Sequence, residues 1–265
     1  MKIILILFFM FTMLFSKVYY SKVQPYEIRD ISSNVSGLVT YINEDMIGKK
    51  LTTKPYILID SELDSKELIF IKDKLEYLRG TVDVNKNILI NLEKSLTRSR
   101  VNYERIKDLK FKSIVEKDKE YKDLISSENL YLTTQKEIQN LKVQITDLKL
   151  RKAQLKRSIS DKYLSDKNFV LYEISVKVGQ VVGMSTPLAK IADVSKAILT
   201  IYLDESDVAG AKNKIVYING EKTTYKISRA LNIADEKNIS KYMAQIIIDS
   251  PKLFSKLATI ELKEN

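Results

Sequence analysis

Cysteine, histidine and tryptophan are absent from the 265 residues. Without thiolate or imidazole the chain cannot build a Cys/His zinc site, attach a c-type haem or assemble a Ser-His-Asp triad, so most nucleophilic and acid–base enzyme classes fall together. Disulfide stapling and a lipidated N-terminal cysteine are excluded on the same ground. Carboxylates, lysine and hydroxyls remain, yet no motif places a carboxylate pair for metal binding or hydrolysis. The chain reads as a non-enzyme. Glycine and proline are also scarce, at seven and four residues, and none of the former lies between Gly80 and Gly179, none of the latter between Pro55 and Pro187. Nothing in that stretch breaks a helix from inside.

What is present is a chain that is 45% hydrophobic with a formal charge of +10. The composition suits a folded protein with a real core. From Glu62 to Ser160 there are 22 basic and 16 acidic residues, finely interleaved. Interleaving of this kind marks a solvated helix surface rather than a phosphate-binding stripe, so nucleic acid is not an expected partner.

The N-terminus has the shape of an address. Lys2 precedes thirteen residues from Ile3 to Phe15 that include a single threonine, and charge returns at Lys17 and Lys22. This is the order of a secretory n-region and h-region. The run covers roughly 20 Å against a hydrocarbon core of roughly 30 Å, so it spans only if Ser16 to Tyr20 are recruited at the interface. Cleavage fits only after Ser16, with Leu14 a poor residue at the minus-three position. Residues 1–21 are therefore a signal peptide or a membrane anchor, and on either reading the remainder is exported.

Two heptad-patterned arms fill the middle. Leu68, Ile71, Leu75, Leu78, Val82, Asn85, Leu89, Leu92, Leu96, Ser99, Tyr103 and Ile106 recur at alternating spacings of three and four. Tyr131, Thr134, Ile138, Leu141, Ile145, Leu148, Lys152, Leu155 and Ile159 repeat the pattern. A 3.5-residue period calls for left-handed supercoiling with a partner helix, either the other arm or another chain. Ser113 followed by Glu116 has the spacing of a capping box, which predicts a turn near 111–115 and an antiparallel hairpin over 62–160. Each arm is then about 70 Å long, and the alternative is a continuous rod of about 140 Å.

The flanks read as β structure. Val35 to Ile42, Gly48 to Leu51 and Pro55 to Asp60 precede the arms. Tyr172 to Val178 alternates apolar and polar residues after them, then Gly179 to Gly183 and Pro187 to Asp193 follow. Each half reads strand, glycine turn, short strand, turn, strand and closing aspartate. Folding back at the turn would make Asp60 and Phe169 neighbours. Beyond residue 196, Leu199, Ile201 and Leu203 alternate with polar residues, and Asn219-Gly220 joins Ile215–Ile218 to Thr223–Ile227 as a hairpin turn. Asp204 to Val208 reads as one helical turn, with further strands at Ala244 to Asp249 and Ala258 to Leu262.

Ser36-Gly37-x-Val39, Gly48-x-x-Leu51 and Ile59-Asp60, then Val178-Gly179-x-x-Val182-Gly183 and Leu188-x-x-Ile191-x-Asp193, resemble the split biotinyl-lipoyl-like halves of HlyD-type membrane fusion proteins. These are the periplasmic adaptor subunits of tripartite efflux pumps and type I secretion systems. The resemblance implies an elongated α+β fold. In it a long antiparallel coiled-coil hairpin is inserted in a split lipoyl-like (barrel-sandwich hybrid) β domain, and a small β-barrel follows. The corresponding divisions are 22–61 for the first lipoyl-like half with a possible barrel strand, 62–160 for the hairpin, 161–195 for the second half and 196–265 for the barrel. Gly37, Gly48, Gly179 and Gly183 take the lipoyl-like turns. No cofactor is implied, because the hairpin separates the halves and no continuous modified-lysine turn is present.

The resemblance further implies a periplasmic adaptor at the inner membrane, linking an ABC or RND-type transporter to a TolC-like outer-membrane channel. Self-association into a trimer or hexamer ring and attachment to the inner membrane through the N-terminus belong to the same implication. Many members dock the channel through an arginine, a leucine four residues on and a serine seven beyond that, at the hairpin tip. Here Arg105 and Leu109 hold the first two places and Glu116 the third, with Ser113 beside it. A membrane-anchored coiled-coil scaffold or sensor without a transport role is the alternative.

Overall fold

In this computed structural model the described residues are 17–235, 238 and 240–264. Residues 1–16, most of the expected leader, lie outside them. No helix among the described residues is long and apolar enough to cross a membrane.

The chain begins with β1 (Val18–Lys22), β2 (Gln24–Ser32), β3 (Gly37–Ile42) and β4 (Ile57–Ile59), then enters α1 (Glu62–Ile106) and α2 (Ile114–Asp161). It continues through β5 (Tyr163–Leu164), β6 (Val170–Ile174), β7 (Val181–Val182) and the 18-residue β8 (Pro187–Asp204). After the single turn α3 (Glu205–Val208) come β9 (Ile215–Ile218), β10 (Glu221–Lys222), β11 (Ile227–Ala234), β12 (Lys241–Asp249) and β13 (Leu257–Lys263).

The two helices have 45 and 48 residues, about 70 Å each at 1.5 Å per residue. They lie against each other as a hairpin, not as a continuous rod. Ile71, Leu75, Val82, Ile138, Leu141, Ile145 and Leu155 form its buried seam, with Leu68, Leu78, Leu89 and Leu148 packed against them. These are heptad positions, so apolar burial follows the sequence period directly. Toward the tip the seam turns polar: the Ser99 and Ser127 hydroxyls meet at 3.1 Å, and the Tyr103 and Tyr121 rings lie 5.4 Å apart. At the base Arg151 grips Glu67 with two hydrogen bonds of 2.7 and 2.8 Å, and Asp64 accepts from Ser158 and pairs with Lys162. Burial pushes the Asp64 carboxyl up, but the hydrogen bonds from Ser158 and Lys162 outweigh it and hold the group below the usual carboxylate range.

Because both ends of the hairpin return to one place, the flanking segments complete one another. The Ile59 amide donates to the Lys162 carbonyl at 2.9 Å, Tyr56 to Leu164 at 3.0 Å and Leu51 to Phe169 at 2.7 Å. Sheet order β5-β4-β3-β7 interleaves strands from before and after the helices. Val39, Leu51, Tyr56, Ile57 and Ile59 from the first side share a core with Leu164, Leu171, Val182, Leu188 and Ile191 from the second. The Tyr56 hydroxyl, carried on a fully buried side chain, donates to Asp166 at 2.7 Å.

β8 does not close at Asp193. It runs on through that residue, so the expected 195/196 division falls inside one strand. Its first part supplies Leu188, Ala189 and Ile191 to the lipoyl-like core, and its second supplies Ala197, Leu199, Ile201 and Leu203 to the barrel core. β2 pairs along both parts, from Gln24 opposite Ile198 to Ser32 opposite Pro187. Two further details depart from the sequence reading. Val18 to Ser21, assigned there to the leader, belong to β1, which pairs with β13 and buries Tyr19 and Ser21 on alternate positions. The strand expected at Tyr172–Val178 spans Val170–Ile174, because Ser175 to Val178 bend toward the turn at Gly179. After the Asn219-Gly220 turn, with φ of 51° and 84°, β10 is only two residues long.

Truncating the seam should be costly. Leu75→Ala, at a site 3% exposed, is expected to lower stability by about 2–5 kcal/mol in urea unfolding. The exposed Lys72→Ala on the same helix should change it by less than about 0.5 kcal/mol. Equal effects of the two would contradict burial of the seam.

Candidate docking site at the hairpin tip

α1 ends at Ile106 and α2 starts at Ile114, so the reversal is made by residues 107–113. Ile114 and Val115, placed in the turn by the sequence reading, already belong to α2. The Lys107 amide still bonds to the Tyr103 carbonyl, the Leu109 amide reaches Ile106 at 3.1 Å and the Lys112 amide reaches Leu109 at 3.4 Å. The last turn of α1 therefore unwinds in steps. Arg105 sits in that turn, where the helix dipole favours a cation, with its side chain exposed.

Ser113 caps α2 as its spacing requires. Its hydroxyl accepts from the Glu116 amide at 3.2 Å, and the Glu116 carboxylate accepts from the Ser113 amide at 3.0 Å, completing the capping box. The same carboxylate takes a hydrogen bond from Lys112 at 3.0 Å and another from the Ser113 hydroxyl. These donors, Lys112 first and then the Ser113 amide and hydroxyl, bring the Glu116 pKa down to about 2. On the other arm, a hydrogen bond from Lys107 to Glu104 raises the lysine above its usual value.

The expected docking residues thus fall into two groups. Ser113 and Glu116 are bonded to each other and serve the helix start. Arg105 stands at the end of α1, and no hydrogen bond or ion pair among the described residues joins it to them. Leu109 is half-buried in the turn. Three residues that sequence reasoning used only to locate the turn dominate the surface here: Phe111, Ile114 and Val115 are 78–79% exposed. They make an apolar knuckle at this end of the hairpin, with Lys110, Lys112 and Lys117 beside them in the sequence. The signal that could have found them is the position itself, since no packing partner exists beyond the end of a two-helix hairpin.

The four glycines at the other end of the molecule do different jobs. Gly48 and Gly179 adopt φ of 79° and 85°, the left-handed region that disfavours other residues. Gly37 opens β3 with ordinary backbone, and a Cβ there would lie 2.6 Å from the Ile59 side chain, so it is required by close strand packing rather than by a turn. Gly183 meets neither constraint. In its turn the left-handed residue is Ser185, with φ of 65°, and a Cβ on Gly183 would find only the Ser36 hydroxyl at 3.9 Å. Among the described residues no cluster of three or more Asp or Glu side chains could hold a metal ion.

No protein-family model matches the sequence, and no curated protein matches it. Solved structures do. MacA from Actinobacillus actinomycetemcomitans superposes with a TM-score of 0.64 at 17% identity, over 93% of this chain and 78% of that one. A membrane fusion protein of Streptococcus pneumoniae gives 0.58 at 12% identity, over 94% and 100%. A MacA–MexA chimera carrying the Pseudomonas aeruginosa MexA α-hairpin domain gives 0.54 at 15%, over 94% and 82%. The fold, hairpin and β domains together, is that of membrane fusion proteins.

The cap should titrate. Because the folded-state pKa of Glu116 lies below its ordinary 4.5, its contribution to the tip is present above that pH and is lost as pH falls toward about 2. Ser113→Ala is expected to cost about 1 kcal/mol of hairpin stability, whereas Lys112→Ala, which removes the first of the donors to Glu116, should move the Glu116 carboxyl titration, followed by NMR, up toward the ordinary value. Unchanged stability in the first variant would contradict the cap, and an unmoved titration curve in the second would contradict the Lys112 contact.

Proposed function

We propose that the chain is a membrane fusion protein of the HlyD type, a periplasmic adaptor that links an inner-membrane transporter to an outer-membrane channel. The observation that carries this reading is mechanical. A β base completed by both flanks of the hairpin holds, about 70 Å away, a rigid tip that presents Phe111, Ile114 and Val115 to solvent. Reach and stiffness are the physical requirements for bridging two membranes, and a buried seam between paired helices supplies both.

On this reading the base lies near the inner membrane, attached through the N-terminal segment, and meets an ABC or RND-type transporter. The tip meets a TolC-like channel. The exposed knuckle supplies the apolar centre of that contact, Leu109 supports it from beneath, and Arg105 contributes a rim charge. Glu116 and Ser113 act one step removed, by fixing the direction in which α2 leaves the turn. Copies of the chain assemble around the conduit. The protein performs no chemistry of its own, in keeping with the residues available to it.

A photo-crosslinking residue at position 111 of the full-length chain, activated in the cells that make it, should yield an adduct with an outer-membrane channel subunit. Phe111→Asp should abolish that adduct and the associated export while leaving the seam intact, since losing a central apolar anchor costs roughly thirty-fold in affinity. Recovery of no channel subunit from position 111, or undiminished export by the aspartate variant, would reject docking through the tip.

A further inference from the structure

Two ion pairs show which residues face each other across the hairpin seam. On one side the residues just before seam positions meet, as Glu67 meets Arg151 at 2.7 Å. On the other side the residues just after them meet: Arg100 follows Ser99, Glu128 follows Ser127, and the two charges lie 4.0 Å apart. In antiparallel helices with a seven-residue repeat, one heptad toward the base on both arms leads from a facing pair to the next facing pair. From Arg100 and Glu128 that walk reaches Glu93 opposite Gln135, then Lys86 opposite Lys142, Arg79 opposite Lys149 and Lys72 opposite Lys156.

The last three rungs join like charges, and all six side chains are exposed. Flanking positions of a coiled coil ordinarily carry opposite charges, and like charges there oppose pairing. Neighbours relieve only part of this. Lys86 pairs with Asp83 at 2.8 Å, and Glu76 stands between Lys72 and Arg79 on the same face. On α2 the positions beside the lysines are Gln139, Thr146, Ala153 and Ser160, none of them acidic. Among the described residues Lys72, Arg79, Lys142, Lys149 and Lys156 make no ion pair. The fold thus holds a ladder of six cations about 21 Å long, with rungs about 10 Å apart. Along each helix acids and bases alternate, so these like charges meet only when the arms pair.

We propose that this ladder binds a linear phosphate polyanion laid along the hairpin. Lysine suits phosphate as a point charge, and a chain of phosphates meets all three rungs at once. Between the outer rungs the strip offers no apolar side chain larger than Ala153, so a protein partner would lack the apolar centre that anchors such contacts. It offers no aromatic ring either. Tyr77 lies two residues from Arg79 and hence on another face of the helix, which leaves nothing for nucleic-acid bases to stack on. Affinity then comes from release of counterions, and the bound anion relieves the repulsion between the arms. The contact does not depend on what the tip touches.

Fluorescently labelled inorganic polyphosphate, titrated into the full-length chain and read by anisotropy over a range of salt, tests the proposal. The logarithm of affinity should fall linearly with that of salt concentration. Lys142→Gln, Lys149→Gln and Lys156→Gln together should reduce that slope by about two to three and weaken binding at low salt at least about tenfold. Lys94→Gln, Lys122→Gln and Lys167→Gln, the same change of charge away from the ladder, should leave affinity within about twofold. Equal loss in the two triple variants overturns the proposal. So does full competition by monomeric phosphate at the same phosphate concentration, or tighter binding of single-stranded DNA of equal charge. Lys149→Glu separates binding from folding, because it sets a carboxylate opposite Arg79: the urea midpoint should hold or rise while polyphosphate affinity falls. A fall in both would refute the facing register. Failure of the position-111 probe to capture a channel would reject the adaptor reading and leave this site standing.

Discussion

Pairing of the two helical arms through their heptad seam is the interaction on which the molecule depends. Among the described residues neither helix packs on another element of the chain along most of its length, and a lone helix of this amphipathic kind frays in water. The seam also decides the β structure. β4 and β5 are separated by about a hundred residues of chain, and they become neighbours only because α2 runs back beside α1. The lipoyl-like core, with Val39 and Ile59 from one side and Leu171 and Val182 from the other, is thus a consequence of helix pairing as much as of strand pairing. The bidentate Glu67–Arg151 contact and the Asp64 network sit where a slip in helix register would be passed to the strands.

β8 gives the base its second constraint. One strand with Ile191 in one core and Leu199, Ile201 and Leu203 in the other makes the lipoyl-like unit and the barrel mechanically continuous. β2 pairs along both parts and reinforces the joint. A load on the hairpin base is therefore carried into the barrel through backbone hydrogen bonds rather than through a flexible linker.

Much of this was legible in the chain. The heptads, the missing glycine and proline and the Ser113-x-x-Glu116 spacing locate two arms and a reversal, because helix period and capping are local properties. The Asn219-Gly220 turn was readable for the same reason. What escaped depends on distant contacts. Gly183 opens a turn, its carbonyl accepting from the Thr186 amide at 3.1 Å, but the left-handed position within it falls to Ser185, and Gly37 is needed for its closeness to Ile59, which no local pattern announces. Asp193 resembles a strand end, but its carboxylate turns to the Ser195 amide at 2.8 Å while the backbone stays in the sheet. At the tip, the expectation that Arg105, Leu109, Ser113 and Glu116 dock a channel rests on resemblance alone, whereas the helix start at Ser113 was legible from its spacing to Glu116. The apolar knuckle became visible only once the turn was known to have nothing above it.

The seam of the hairpin changes character along its length, and the change has a physical meaning. Near the base it is apolar, at Leu75 and Leu141, and the burial of these side chains gives adhesion without direction. Toward the tip the Ser99 and Ser127 hydroxyls meet across it at 3.1 Å, a directional contact that tolerates less displacement of one helix along the other. Adhesion is therefore concentrated where the arms enter the β base, next to the Glu67–Arg151 and Asp64–Ser158 contacts that fix their register.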